Sequence, residues 1–138
     1  MRNVRYLLFV GLVLVLLVVA CDSYSQTGVR SSNVQDMSGG RVTTSVGKAN
    51  GTTTENIEVE GVAGLILETN VILSVGSGSF KIELLGEDDQ PTLTLEAGAG
   101  QTVEGQGQMV TDSFGEASYR VTAVEAEDVE YLIEYTFR

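Results

Sequence analysis

The sequence predicts an all-β domain, a single antiparallel β-sandwich, following an N-terminal signal helix and a flexible linker. Three observations carry this. From Ile57 onward apolar and polar residues alternate with period two in successive short runs, the mark of strands with one face buried and one in water. Turn-forming residues punctuate those runs at roughly ten-residue intervals. No stretch after residue 20 carries the 3.6-residue apolar period that the helices of a βαβ architecture would need.

The chain opens with Arg2 and Arg5, followed by fifteen residues from Tyr6 to Ala20 in which only Gly11 interrupts an apolar run. A charged start and a short apolar core are the layout of a secretory signal. The run falls short of the roughly 20 apolar residues that a membrane-spanning helix needs. It closes on Val18-Val19-Ala20-Cys21, and Cys21 is the only cysteine in the chain. This ending resembles the lipobox of bacterial lipoproteins. The resemblance covers residues 1–21 and implies a diacylglyceryl group on the Cys21 sulfur, with cleavage leaving Cys21 as the acylated N-terminus. It implies an exported protein, lipid-anchored to the outer face of the cytoplasmic membrane or to another envelope membrane. Asp22 resembles the inner-membrane retention signal of diderm lipoproteins.

Without residues 1–20 the chain keeps 118 residues, enough for one modest core. That part holds six basic residues against all 19 acidic ones, a net charge of −13. Phosphate backbones and anionic headgroups both repel such a surface, so nucleic acid is excluded as a partner and the lipid on Cys21 must supply the membrane attachment. Two or more acyl chains anchor stably, since each buried CH₂ contributes about 0.8 kcal/mol. With one cysteine and no histidine, the chain has no intramolecular disulfide, no Ser-His-Asp triad and no His-ligated zinc.

Residues 21–40 read as the lipidated N-terminus and a flexible tether, because Ser, Thr, Gly, Asn and Gln dominate there and offer little to bury. A tether of about 20 residues would reach roughly 25 Å. The all-β domain is expected over 41–138, with Arg41 to Val46 as a first edge strand. Ile57, Val59 and Gly61 alternate with Glu58 and Glu60. Leu65 to Val75 suits a long central strand, bent near Asn70. Gly76-Ser77-Gly78 reads as a turn, after which Phe80, Ile82 and Leu84 alternate with Lys81 and Glu83. The polar stretch from Gly86 to Pro91 joins this run to Leu93 and Leu95, a hairpin with the only proline at its mouth. Glycines at 98, 100, 105, 107 and 115 mark a long loop around one short strand near Gln108 to Thr111. Ala117 to Ala123 and Val129 to Phe137 form two closing strands, joined by an acidic turn at Glu125 to Asp128.

The ending Tyr119-Arg120-Val121-Thr122-Ala123 with Tyr131-Leu132-Ile133-Glu134-Tyr135 resembles the closing strands of jelly-roll-type β-sandwich modules appended to exported bacterial proteins. That resemblance covers roughly the last 60 residues and implies a jelly-roll-like sandwich; the strand pattern equally fits an immunoglobulin-like one.

Chemistry-bearing constellations are few. Glu87, Asp88 and Asp89, together with Glu125, Glu127 and Asp128, place hard oxygen donors in turns and are candidate Ca²⁺ ligands. Asp112 and Glu116 belong to the same class. No EF-hand spacing is present, and acidic turn residues ordinarily keep loops solvated, so plain loops are the expectation and no cofactor is required. Glu58 and Glu60 share one strand face, as glycosidase carboxylates must, but without an apolar pocket to raise the pKa of an acid. A Ser-Lys dyad through Lys48 or Lys81 has no motif around it. Tyr119, Tyr131 and Tyr135 are in phase with Val121, Ile133 and Phe137 and belong to the core, not to an exposed sugar platform. Leu132 stands out of phase on the wet face. The expectation is therefore a membrane-anchored, non-catalytic binding or structural module at the cell envelope, with an envelope protein as partner. The alternatives are a Ca²⁺-dependent carbohydrate-binding or adhesion module and, behind it, a small carboxylate hydrolase.

Overall fold

The computed structural model describes residues 23–59 and 63–138. The leader, Cys21 and Glu60 lie outside the described residues. Seven strands occur among the described residues: β1 (Ser25–Thr27), β2 (Arg30–Gln35), β3 (Gly39–Glu58), β4 (Ile66–Leu85), β5 (Pro91–Gly98), β6 (Gln101–Val110) and β7 (Glu116–Phe137), with a 3₁₀ turn at Glu87–Asp89. All pairing is antiparallel, as the period-two pattern requires.

The frame is three long strands. β7 runs between β3 and β4 and is paired to both along nearly its whole length. Strands of 20 to 22 residues are too long for one flat layer in a chain this size, and each is bent near its middle. The register slips between Ala49 and Gly51 on β3 and between Ser77 and Ser79 on β4, opposite Val124 to Ala126 of β7. Gly51 (φ 100°), Gly78 (φ 71°), Glu125 (φ 44°) and Asp128 (φ 52°) adopt left-handed backbone along this line. Extra residues of this kind bend a strand and switch which side chains face inward. On β4 the buried residues are Leu67, Thr69, Val71, Leu73 and Val75 before the slip and Phe80, Ile82 and Leu84 after it, a change from odd to even that keeps one face toward the core, with Leu85 buried beyond a further slip at the strand's end.

Folded along this line, one sheet becomes a two-layer sandwich. The first layer contains β2 and β1, then β3 up to Ala49, β7 from Ala126, β4 up to Ser77, and β6. The second contains the remaining halves of β3, β7 and β4, followed by β5. Tyr119 and Tyr131 sit on the same strand yet face each other across the core, with ring centroids 6.1 Å apart and hydroxyls at 3.2 Å. Phe80 of the second layer stacks on Tyr131 of the first at 5.9 Å. Along one side the β5–β6 hairpin bridges the layers, and Leu93 and Leu95 of β5 lie against β6 where it has no side chains: a Cβ on Gly105 would come within 2.9 Å of Leu95, and one on Gly107 within 2.6 Å of Leu93.

The all-β antiparallel sandwich is thus as expected, and several boundaries differ. Gly76-Ser77-Gly78 and Glu125 to Asp128 are bends inside continuous strands, not chain reversals, because the partner strands continue past them. The stretch 97–115 is a hairpin and the ten-residue β6, its glycines serving close packing instead of a loop. Arg41 to Val46 is interior to the first layer, with β2 on its far side. Within the expected tether 21–40, the chain is strand from Ser25: β1 pairs Ser25 with Asn50, and β2 pairs Arg30 to Gln35 with Ser45 to Gly40. Both strands are exposed along their length and are held by backbone pairing, which composition does not reveal.

Gly78 is the most constrained point of the fold line. A Cβ there would overlap the Glu125 carbonyl and approach the Val124 oxygen to 2.6 Å, whereas at Gly100 (φ 70°) nothing lies within 4 Å. Gly100→Ala is therefore expected to cost about 1 kcal/mol, the left-handed penalty alone, and Gly78→Ala about 3 kcal/mol or more. Urea unfolding checks this; equal losses would mean that the bend at Gly78 is not required.

Candidate binding groove

The outward side chains of the first layer form aligned rows because antiparallel partners share a face. One row runs across five of its strands, β2, β3, β7, β4 and β6: Val34, Arg41, Glu134, Asn70 and Gln106. A row to one side holds Thr136, Glu68 and Gln108, and a row to the other holds Leu132, Ile72 and Glu104. Glu68, Asn70, Gln106, Gln108, Glu134 and Thr136 line a groove of about 690 Å³ on this face. The odd-numbered neighbours Thr69 and Tyr135 turn their side chains into the core and present backbone.

Most of the groove's polar groups hold one another in place. Arg41 pairs with Glu134. Arg138 donates to Glu68 at 2.7 Å, and Gln108 Nε2 donates to the same Glu68 oxygen at 2.9 Å. Asn70 Nδ2 donates to Glu104 at 3.1 Å. The exception lies in the middle: Asn70 Oδ1 is buried and has no hydrogen-bond partner, the sole such side-chain atom among the described residues. Buried acceptors are nearly always satisfied, and leaving one unpaired costs about 1–3 kcal/mol. Asn70 lines the groove, and its Oδ1, unmet and closed to water, would receive a donor from a ligand once the side chains over it shift.

The residues singled out by sequence lie elsewhere. Glu87, Asp88 and Asp89 are exposed in the β4–β5 connection, beside Asp112 and Glu116, around a hollow of about 390 Å³ where β4 begins and ends. Asp112 Oδ1 accepts the backbone N–H groups of Phe114 (2.8 Å) and Glu116 (3.0 Å), which caps that turn. Glu125, Glu127 and Asp128 sit on the fold line instead. Glu125 N–H donates to Asn50 Oδ1 at 3.1 Å, and Glu127 pairs with Lys48 at 3.2 Å. The strand from Ser77 to Leu85 that separates the two acidic sets spans roughly 26 Å at 3.3 Å per residue. Ca²⁺ needs its oxygens within about 2.6 Å, so one ion cannot take both sets. No group of three or more carboxylate or thiol side chains converges on a metal position among the described residues.

Lys81 faces Glu83 at 3.9 Å, and Arg120 approaches the same carboxylate at 3.6 Å, so Lys81 sits in a charge cluster. Glu58 lies opposite Glu116 on the exposed face of the second layer. Tyr119, Tyr131 and Tyr135 are all buried, as their phase predicts. The groove itself escaped the sequence because Gln106 and Gln108 fall in a glycine-rich stretch that reads as loop, and only the β4–β6 register brings them beside Asn70 and Glu68.

No protein-family model matches the chain, and no curated protein does. Among solved structures it is similar to the Bacillus endospore appendages described as disulfide-linked pili (14% identity, TM-score 0.48, covering 78% of this chain and 89% of that one). It is also similar to the CBM22-1 xylan-binding domain of Paenibacillus barcinonensis Xyn10C (14% identity, TM-score 0.39, 86% of each chain). A third likeness is to the Podospora anserina GH26-CBM35 β-(1,4)-mannanase (14% identity, TM-score 0.44, 85% of this chain and 26% of that one). At such identities the likeness is one of coarse shape and says nothing of ligand.

Burial, with the neighbouring Tyr131, pushes the Tyr119 hydroxyl well above the ordinary 10.0; burial also raises Tyr131, and burial with the neighbouring Tyr131 and Glu55 pushes Tyr24 up to about 12. The unfolded chain therefore loses these protons first, near pH 10, while the folded chain keeps them. Stability is expected to be complete below about pH 10 and to fall above it, by up to about 1.4 kcal/mol per pH unit for each buried tyrosine. Denaturant melts across the alkaline range check this. The slope should flatten in Tyr119→Phe with Tyr131→Phe, and an unchanged slope would place the titrating groups elsewhere.

Proposed function

We propose that this chain is an exported, lipid-anchored binding module of the cell envelope whose binding site is the groove around Asn70. The observation that carries the reading is the unmatched Asn70 Oδ1 in a cradle of polar side chains, most of which hold one another in place. Preorganised side chains lower the entropy cost of binding, and an acceptor without a donor gains the most from a ligand that brings one.

Binding fits the groove better than catalysis. A general acid needs a carboxyl raised in pKa by apolar surroundings, whereas Glu68 and Glu134 face Arg138 and Arg41, and Glu104 accepts from Asn70. The Ca²⁺-dependent alternative has no converging ligand set among the described residues to rest on.

The lipobox ending at Cys21 supports the anchor. With β1 starting at Ser25, the four residue steps from Cys21 extend at most about 14 Å, not the reach of a long tether. A lipid there would hold the domain close to the headgroups, with its fold line nearest, since β1 pairs beside Gly51 and Ser23 and Tyr24 pack against that glycine.

Fractionation and envelope binding test the two parts. Wild-type protein should partition with membranes and Cys21→Ser should not; Ala20 still preceding an unmodified Cys21 in the mass spectrum of the wild type would remove the anchor. Detergent-solubilised full-length protein should bind delipidated envelope preparations, and Asn70→Ala with Gln106→Ala should lower binding at least tenfold at a melting temperature no lower than that of the wild type. Undiminished binding by that double variant would refute the groove as the site.

A further inference from the structure

Resting on that reading, we infer that the groove takes a neutral, hydroxyl-rich chain, a glycan lying across β7, β4 and β6 and recognised by side chains alone. Four features of the face select this chemistry. The first is the sign of the unmet need. Asn70 Oδ1 is an acceptor, so the ligand must donate; a phosphate or carboxylate group has only acceptors to offer, and a hydroxyl can donate to Asn70 while accepting from a neighbouring amide such as Gln106.

Charge is the second. The chain as a whole is strongly acidic, and its described face carries Arg41 and Arg138 where they neutralise Glu134 and Glu68. An anion meets a repulsive protein, and a cation finds the groove's two lining carboxylates already paired. A neutral ligand pays neither cost.

Backbone is the third. Extended peptides are usually read by adding a strand to a free sheet edge, where main-chain groups are available. Beneath the groove β7 is paired on both sides by β3 and β4, and β4 on both sides by β7 and β6; β6 alone, at the groove's margin, is paired on one side only, so a chain lying across the centre of the groove meets side chains and no free main-chain edge. The fourth feature is the Ile72–Leu132 pair, directly adjacent in register on the same face and half-buried. Sugar rings carry hydroxyls at their rims and C–H groups on their faces, so a ring over this pair covers apolar surface while its hydroxyls meet the Asn70 row. Strands lie about 4.8 Å apart, comparable to one pyranose ring, so successive rings can meet successive strands.

The test uses full-length protein in detergent and envelope material treated in parallel with periodate, which cleaves vicinal diols, or with protease. Binding is expected to vanish after periodate, to survive protease, and to be insensitive to added salt and to chelator. A panel of soluble neutral polysaccharides should contain a ligand whose affinity falls at least tenfold in Asn70→Ala and in Ile72→Ser with Leu132→Ser, each checked for a melting temperature no lower than that of the wild type. Binding that survives periodate but is lost to protease, still through Asn70 and Gln106, would overturn the glycan while leaving the groove as a site. Binding abolished by salt would overturn neutrality of the ligand. Binding indifferent to the groove variants would overturn the proposed function itself.

Discussion

Three strands of 20 residues or more cannot lie in one plane and still bury their apolar faces in a domain of this size, and the fold line resolves that conflict. Gly51 and Gly78 accept left-handed backbone without a Cβ penalty, while Glu125 and Asp128 are held in it by the pairing on either side. The bend at this line converts one sheet into two facing layers, and the accompanying register slips keep inward side chains inward. Without the slips, half of each strand would turn its apolar residues to water, since a one-residue shift exchanges the two faces.

The outer face follows from the same constraint. Once the odd residues of β4 and β7 in the first layer are committed to the core, their even neighbours must share the opposite surface. Glu68, Asn70 and Ile72 therefore lie beside Leu132, Glu134 and Thr136. Their mutual bonds are modest, since exposed ion pairs contribute about 0–1 kcal/mol. Their consequence is geometric: they fix side chains around the unmatched Asn70 Oδ1. The tyrosines work on the inner side, where Tyr119 and Tyr131 close a hydroxyl-to-hydroxyl bond across the core and Phe80 stacks beside them. Core and groove are thus two faces of the same strands.

The sequence made the class of fold and the buried phase of its main strands legible. Alternation in 117–123 and 129–137 marks Val121, Tyr131 and Ile133 as core, and all are buried. Bends were not legible because glycine and acidic residues serve a reversal and a bulge equally well; only the partner strand distinguishes them. Of β6 only the end was legible, as the short strand expected near Gln108 to Thr111; the rest was hidden because Gly105 and Gly107 replace inward side chains to admit Leu93 and Leu95. β2 was hidden because it buries almost nothing and exists through pairing with β3. The groove combines residues from β4, β6 and β7, separated by up to about half the chain, so no local pattern could contain it.

Native-state hydrogen exchange along β7 tests the central claim most directly, because this strand crosses the fold line and belongs to both layers. Amides of Tyr119 and Val121 in one half and of Tyr131 and Ile133 in the other are predicted to exchange through the same global opening, with equal free energies that fall together in denaturant. Two distinct opening energies, with one half exchanging while the other stays protected, would contradict a single folded sheet and describe two separately stable layers instead.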